Sequence, residues 1–232
     1  MRSILKDTFE KIYCINLDSR LDKWKSVTEE FKKYNIEDIV ERYPGHTSKA
    51  NSCGRGCSLS YFNLLKKCKN DKINQVLVFE DDVEFLTFSL DYINKKKIKI
   101  DSNPADILHR GLTQLKNFKW DIFYLGCNIK LREFCYKEIL SDNLFKATNQ
   151  LTTHSVAFNN SVYDVIIEDF LRSEFMIDTY LGYYLSHKIN SINLYPMITG
   201  QKINFTSDIT HKKSPNKWIR KNVLHNFMNY EK

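Results

Sequence analysis

Glycine and proline are scarce in this chain, with 7 and 4 among 232 residues. That scarcity argues against collagen-like, linker-rich and low-complexity architectures. No stretch approaches the ~18 consecutive apolar residues of a membrane-spanning helix. The opening "MRSILKDTFEK" has no apolar run of signal-peptide type. No internal repeat is found, which argues against solenoids and propellers. Cys53 and Cys57 lie four apart, but no second pair with zinc spacing accompanies them among the six cysteines (Cys14, Cys53, Cys57, Cys68, Cys127, Cys135). The expectation is a cytoplasmic chain whose thiols are mostly reduced and buried.

What is present suits one α/β domain with a real core, since hydrophobic residues make up 42%. The net charge is +7 and the sequence pI about 8.9. Such a balance favours polyanions, anionic lipid surfaces or phosphate-bearing ligands. Abundant Lys, Asn and Ile also fit a compositional bias in which Lys is the default surface residue. No nucleic-acid-binding motif accompanies the charge, so no nucleic-acid partner is expected. The basic, aromatic tail at 211–232 carries Trp218, Ile219 and Leu224 among its lysines. It suits either peripheral contact with an anionic membrane or a helix packed on the domain.

Strand-like and helical patterns alternate along the chain. "KIYCINL" (11–17) reads as a strand. A helix follows, with Ser19 as N-cap and Leu21, Trp24, Val27 or Thr28, and Phe31 on one face. "DIVERYPG" suggests a short strand ended by Pro44-Gly45, and "SLSYFNLLKKCK" a helix with Leu59, Phe62 and Leu65 on its apolar side. Further strands are expected at 75–80, 120–128, 131–140, 144–149, 153–158 and 189–196. Further helices are expected at 105–115, from Asn160, and from Ile177; the Lys-rich stretch 93–106 reads as the weakest-ordered part. Continuous apolar strands alternating with helices predict an α/β fold with a mainly parallel central sheet.

"QVLVFEDDVEF" (75–85) raises the chemical question. A buried strand runs straight into three carboxylates, Glu80, Asp81 and Asp82. Like charges at that spacing repel, and a carboxylate near a core is costly without compensation. Either water solvates the triplet in a turn, or a cation sits there. In open α/β sheets, ligands bind beyond the carboxyl ends of strands, where this triplet lies. Oxygen-ligated Mg²⁺ and Mn²⁺ sites use one or two carboxylates plus substrate phosphates.

The chain resembles glycosyltransferase family 25, which includes bacterial lipooligosaccharide and collagen galactosyltransferases. The elements that carry the resemblance are "YCINLDSRLDKW" (13–24), "GRGCSLSYFNLLKKC" (54–68), "VLVFEDDVEF" (76–85), "WDIFYLG" (120–126), "THSVAFNNSVYDVI" (153–166), "IDTYL" (177–181), "LYPMITGQ" (194–201) and "SDI" (207–209). They occur in family order and span about residues 11–210. The resemblance implies a GT-A-like, Rossmann-type fold in a single catalytic domain over 1–210, followed by the tail. It implies an inverting, metal-dependent transfer of a hexose, galactose or glucose, from a UDP-sugar. The acceptor would be a hydroxyl of a glycan, a lipid-linked glycan or a hydroxylated protein.

Carried over residue by residue, the resemblance makes Asp178 the general base. Glu80, Asp82 and His211 become ligands of Mn²⁺ (or Mg²⁺). Asn16, Arg20, Ser60, Asp81, Gln201 and Asp208 become contacts for substrate, with Arg20 suited to pair with phosphate. Plainer readings stand beside these. Asn16 and Asp18 suit helix capping, and Asp178 suits the first turn of a helix. His211 suits a solvated, Lys-rich stretch, and His154 suits a packed strand. One departure matters: Tyr61 follows Ser60 where the family usually has His. That departure keeps open a catalytically silent relative that binds sugar nucleotides or partners as a module.

Overall fold

The computed structural model describes residues 1–47, 55–86, 88–91, 96–99, 103–129, 135–172 and 176–202. A short helix α1 (Arg2–Thr8) precedes the first strand β1 (Lys11–Asn16). Then come α2 (Leu21–Lys32), β2 (Glu41–Pro44), α3 (Arg55–Asn70), β3 (Gln75–Glu80) and β4 (Val83–Phe85). β5 (Phe88–Asp91), β6 (Lys96–Lys99), α4 (Pro104–Leu115), β7 (Ile122–Ile129), β8 (Cys135–Ser141), β9 (Leu144–Thr148) and β10 (Gln150–Asn159) follow. The described chain closes with α5 (Tyr163–Arg172), α6 (Ile177–Thr179), β11 (Ser191–Leu194) and β12 (Thr199–Gln201). Between α6 and β11 the backbone continues as a π-turn over Tyr180–Tyr184 and a 3₁₀ turn over Leu185–His187.

Eight strands form one sheet in the order β2-β1-β3-β10-β7-β11-β9-β8. β2, β1, β3, β7, β11 and β8 point one way, while β10 and β9 run against them. The sheet is therefore mixed but mainly parallel in strand direction, as the continuous apolar strands predict. Alternation along β3 divides the core into two layers. Leu77 and Phe79 face α1, α2 and α4, packing with Leu5, Phe31 and Leu108. Val76 and Val78 face α3 and α5, packing with Tyr61, Leu64 and Ile166. Both faces are covered, which is why β3 needs no polar side until its end.

Three local expectations change. The N-cap of α2 is Arg20 rather than Ser19. The buried face of α2 is Lys23, Val27, Glu30 and Phe31, whereas Leu21 is 64% exposed. The helix is rotated because two of its charged residues have buried partners near the β3–β4 turn. Lys23 pairs with Asp81, and Glu30 Oε1 accepts from the backbone N–H of Phe85 at 3.0 Å. In α3 the buried stripe is Tyr61, Leu64, Leu65 and Cys68, so Leu59 is left partly exposed. Within the stretch read as the weakest-ordered part, Lys96–Lys99 pairs as a two-stranded antiparallel ribbon with Phe88–Asp91.

Candidate active site

Strand register builds the site. β1 and β3 are parallel with Ile15 opposite Glu80, so both strands end side by side. The residues just past that point, Asn16 and Asp81, then meet: Asn16 Nδ2 donates to Asp81 Oδ2 at 2.7 Å. Asn16 Oδ1 accepts from Arg42 Nε at 2.8 Å, and the Arg42 guanidinium lies over the Trp24 ring at 5.7 Å. Lys23, projecting inward from the first turn of α2, brings its ammonium to 3.3 Å from Asp81 Oδ1. Both side chains are almost fully enclosed, at 6% and 11% exposure. A cation does sit at the triplet, and it belongs to the protein.

Glu80 faces the other way, toward β10. Thr153 Oγ1 donates to Glu80 Oε1 at 2.6 Å. Tyr61 OH lies 3.2 Å from the same oxygen and donates to the Thr153 carbonyl at 2.6 Å. β10 breaks register between Leu151 and Ser155 here, and Thr152 sits at φ 65°, a left-handed conformation that is costly for a β-branched residue. The bulge re-aims β10 so that Thr153 reaches Glu80. Tyr61, the departure from the family pattern, is thus a fully buried strut beneath Glu80.

Asp82 is held by a separate small ribbon. β12 pairs with β4, with Gln201 opposite Val83. Gln201 Nε2 therefore approaches Asp82 Oδ2 at 3.3 Å, and the Lys202 N–H donates to the Asp82 carbonyl at 2.5 Å. Lys202 Nζ reaches back to α2, donating to the Ser26 carbonyl and hydroxyl at 2.7 and 2.8 Å. Gly126 lets β12 lie this close to the sheet, because a Cβ there would be 2.2 Å from the Thr199 carbonyl oxygen. Asp82 Oδ1 is buried and has no hydrogen-bond partner.

The enclosed carboxylates resist ionisation. Burial, then the neighbouring Asp82, pushes Glu80 up to about 8, against the opposing hydrogen bond from Thr153. Burial likewise pushes Asp82 up to about 6, opposed first by the positive field of Lys23. Near neutral pH the pair therefore retains a proton that a bound cation would displace.

Asp178 joins this group from far along the chain. The N–H of Ile177 donates to Ser58 Oγ on α3 at 3.0 Å, anchoring the start of α6 beside the helix that carries Cys57 and Tyr61. Asp178 is half-buried, and its charge contributes to raising Glu80. The Cys57 thiol is raised well above its usual range by burial and then by Glu80, Asp178 and Asp82. The proposed base and the acidic strand end thus share one electrostatic neighbourhood, although they are remote in sequence. Asp178 Oδ1 accepts from its neighbour's backbone, the Thr179 N–H, at 2.7 Å, as a first-turn acid does.

Other predicted residues are placed differently. Arg20 is a short-range partner of Asp22, with Nε and Nη2 on the two carboxylate oxygens at 2.9 and 2.8 Å. Ser60 is 1% exposed and ties α3 to the preceding loop, donating to the Gly56 carbonyl and accepting from the His46 N–H, each at 2.8 Å. Asp208, His211 and the tail lie outside the described residues, as does Cys53. His154 is buried, with Nδ1 3.0 Å from Thr152 Oγ1 and Nε2 without a partner. Sequence reasoning missed Lys23, Thr153 and Lys202. None of the three carried a usable signal, because amphipathic patterning assigns a lysine to solvent and each meets its partner only through long-range packing. A shallow cavity of about 270 Å³ beside Ile73, Asn74 and Asn160 lies at the opposite, amino end of β3.

The donor set fits a hard divalent ion in part. Asp82 offers a buried oxygen with no partner, and Glu80 a second carboxylate. Two carboxylates completed by phosphate and water suit Mg²⁺ or Mn²⁺. Among the described residues no group of three or more His, Cys, Asp and Glu side chains could hold a metal by itself. Nor is any described helix long and apolar enough to cross a membrane.

Neither a family model nor a curated protein sequence matches the chain. Among solved structures it is similar to a glycosyltransferase involved in the glycosylation of the major capsid of PBCV-1, at 10% identity, 79% coverage of this chain and 80% of that one, with a TM-score of 0.42. It is also similar to A197 from STIV, at 12% identity, 83% and 85% coverage and a TM-score of 0.42. A mannose-1-phosphate geranyltransferase from Thermus thermophilus shows 8% identity, 81% and 60% coverage and a TM-score of 0.40. Likenesses this distant say nothing about chemistry.

Proposed function

We propose that the chain is a metal-dependent inverting glycosyltransferase that moves a hexose, galactose or glucose, from a UDP-sugar to a hydroxyl acceptor. The acceptor class is a glycan, a lipid-linked glycan or a protein hydroxyl. One observation carries the reading: Asp82 holds a buried, unpartnered oxygen beside Glu80 at the carboxyl end of a central strand. That is the arrangement expected of a strand end that receives a cation and a diphosphate. The ordered resemblance to family 25 supplies the choice of a sugar nucleotide.

In this reading Glu80 and Asp82 hold Mn²⁺ or Mg²⁺. When bound, the ion neutralises charge on the diphosphate leaving group. Asp178 accepts the proton of the acceptor hydroxyl as that oxygen attacks the sugar carbon from the face opposite the diphosphate. Gln201 orients Asp82, and Asn16 with Asp81 fixes the floor of the site.

The test needs no known acceptor. The protein is incubated with a panel of UDP-, GDP- and CMP-sugars and Mn²⁺, and released nucleotide is measured with and without EDTA. Release from one UDP-sugar, lost with EDTA and in Asp82→Ala, supports the proposal. Release from no donor would contradict it. A second reading, the silent binding module, draws on Tyr61 as a buried strut and on Arg20 held by Asp22. It predicts nucleotide binding without release.

A further inference from the structure

The acidic triplet is not used uniformly, and Lys23 divides it. The ammonium of Lys23 lies against Asp81, whose second oxygen accepts from Asn16. Asp82 carries the unpartnered buried oxygen, and Glu80 turns toward Thr153. We propose that Lys23 is a positioning residue that binds Asp81 as its permanent counter-ion, withholds it from incoming cations, and thereby sets the affinity of the Glu80–Asp82 pair for a divalent ion.

Three observations support this division. Lys23 is only 4% exposed, and a buried lysine requires a partner to remain charged. It is held in place by the backbone of α2, not by a flexible loop. The same helix receives Lys202 through Ser26 and supports β4 through Glu30, so α2 and the acidic turn are fastened at three points. The Lys23 ammonium, fixed 3.3 Å from Asp81 Oδ1, also places a positive charge next to the neighbouring Asp82 and repels the ion that Asp82 would bind.

The inference builds on the proposed metal site, and the experiment separates the two. Binding of MnCl₂ alone to the full chain is measured by the electron paramagnetic resonance of free Mn²⁺, with far-UV circular dichroism confirming the fold of each variant. Lys23→Met frees Asp81 and removes a repelling charge, so Mn²⁺ binds about tenfold or more tightly, since a unit charge a few ångströms away outweighs the 1.4 kcal/mol of a tenfold change. Asp81→Asn leaves Lys23 without its counter-charge, and binding weakens by a similar factor. Lys23→Met with Asp81→Asn returns the affinity to within about threefold of the wild type. Lys23→Arg keeps the charge and stays near the wild type.

A purely structural salt bridge would not produce changes of opposite sign. Unchanged or weakened binding in a folded Lys23→Met overturns the proposal. If that variant does not fold, unchanged or tightened binding in Asp81→Asn does the same. If the wild type binds no Mn²⁺, the metal reading fails first. In that case Mn²⁺ binding gained by Lys23→Met still supports Lys23 as the resident counter-ion, and none gained overturns it.

Discussion

Replacing Glu80 with Gln tests the electrostatics of the site without reference to any substrate. Glu80 titrates near 4.5 when unfolded and is pushed up to about 8 in the fold, first by burial and then by Asp82. The native state therefore holds a proton that the unfolded chain has lost throughout that window. Stability is fully retained below the lower value and falls as pH rises toward the upper one. A shift of that size corresponds to as much as about 5 kcal/mol. Part of the residue still touches solvent, so about 2–3 kcal/mol is the working figure. Gln resembles the protonated acid, and its oxygen can still accept from Thr153. Urea denaturation in EDTA should show near-equal stabilities around pH 4 and Glu80→Gln ahead by about 2–3 kcal/mol around pH 8.5. Asp82, raised to about 6, adds a slope of the same sign at lower pH in both proteins. A stability difference that is identical at both pH values would refute the reasoning.

Other consequences follow from named contacts. His154, buried and held down to about 4, stays neutral in the fold while the unfolded chain takes up a proton below about 6.5. Its contribution is lost as pH falls between those values, by about 3 kcal/mol, and His154→Gln should flatten that part of an acid-denaturation profile. Gly126→Ala forces its methyl against the Thr199 carbonyl. It should cost about 1–3 kcal/mol, read as a lower midpoint in thermal denaturation. Asp178→Asn should lower donor turnover by about 10²-fold or more while leaving Mn²⁺ binding within about twofold, as expected of a base rather than a ligand.

The sequence made β3 easy to place. Four apolar residues followed by three acids describe a strand covered on both faces and ending in a polar turn, and Val76–Phe79 divides its side chains between the two core layers. The strand-end position of Glu80, Asp81 and Asp82 was legible for the same reason. Lys23 was not, because amphipathic reasoning assigns a lysine to solvent. Its burial depends on Asp81, which is remote in sequence and meets it only when β1 and β3 align. β12 was equally hidden, since Thr199–Gln201 is too short to show a pattern and forms only against β4. Thr153 reaches Glu80 through an irregular backbone at Thr152 that no periodicity announces. Asp178 could be nominated from resemblance alone. Its electrostatic reach to Glu80 follows from α6 docking on Ser58.

The proposed function requires that Asp82 and Glu80 hold a divalent ion on the diphosphate of a uridine nucleotide. Calorimetric titration of the full chain with UDP, in Mn²⁺ and again in EDTA, tests it most directly. Binding in Mn²⁺ should weaken by about tenfold or more in EDTA and in Asp82→Asn, a change of about 1.4 kcal/mol or more. Equal binding in both buffers, or none in either, would contradict it.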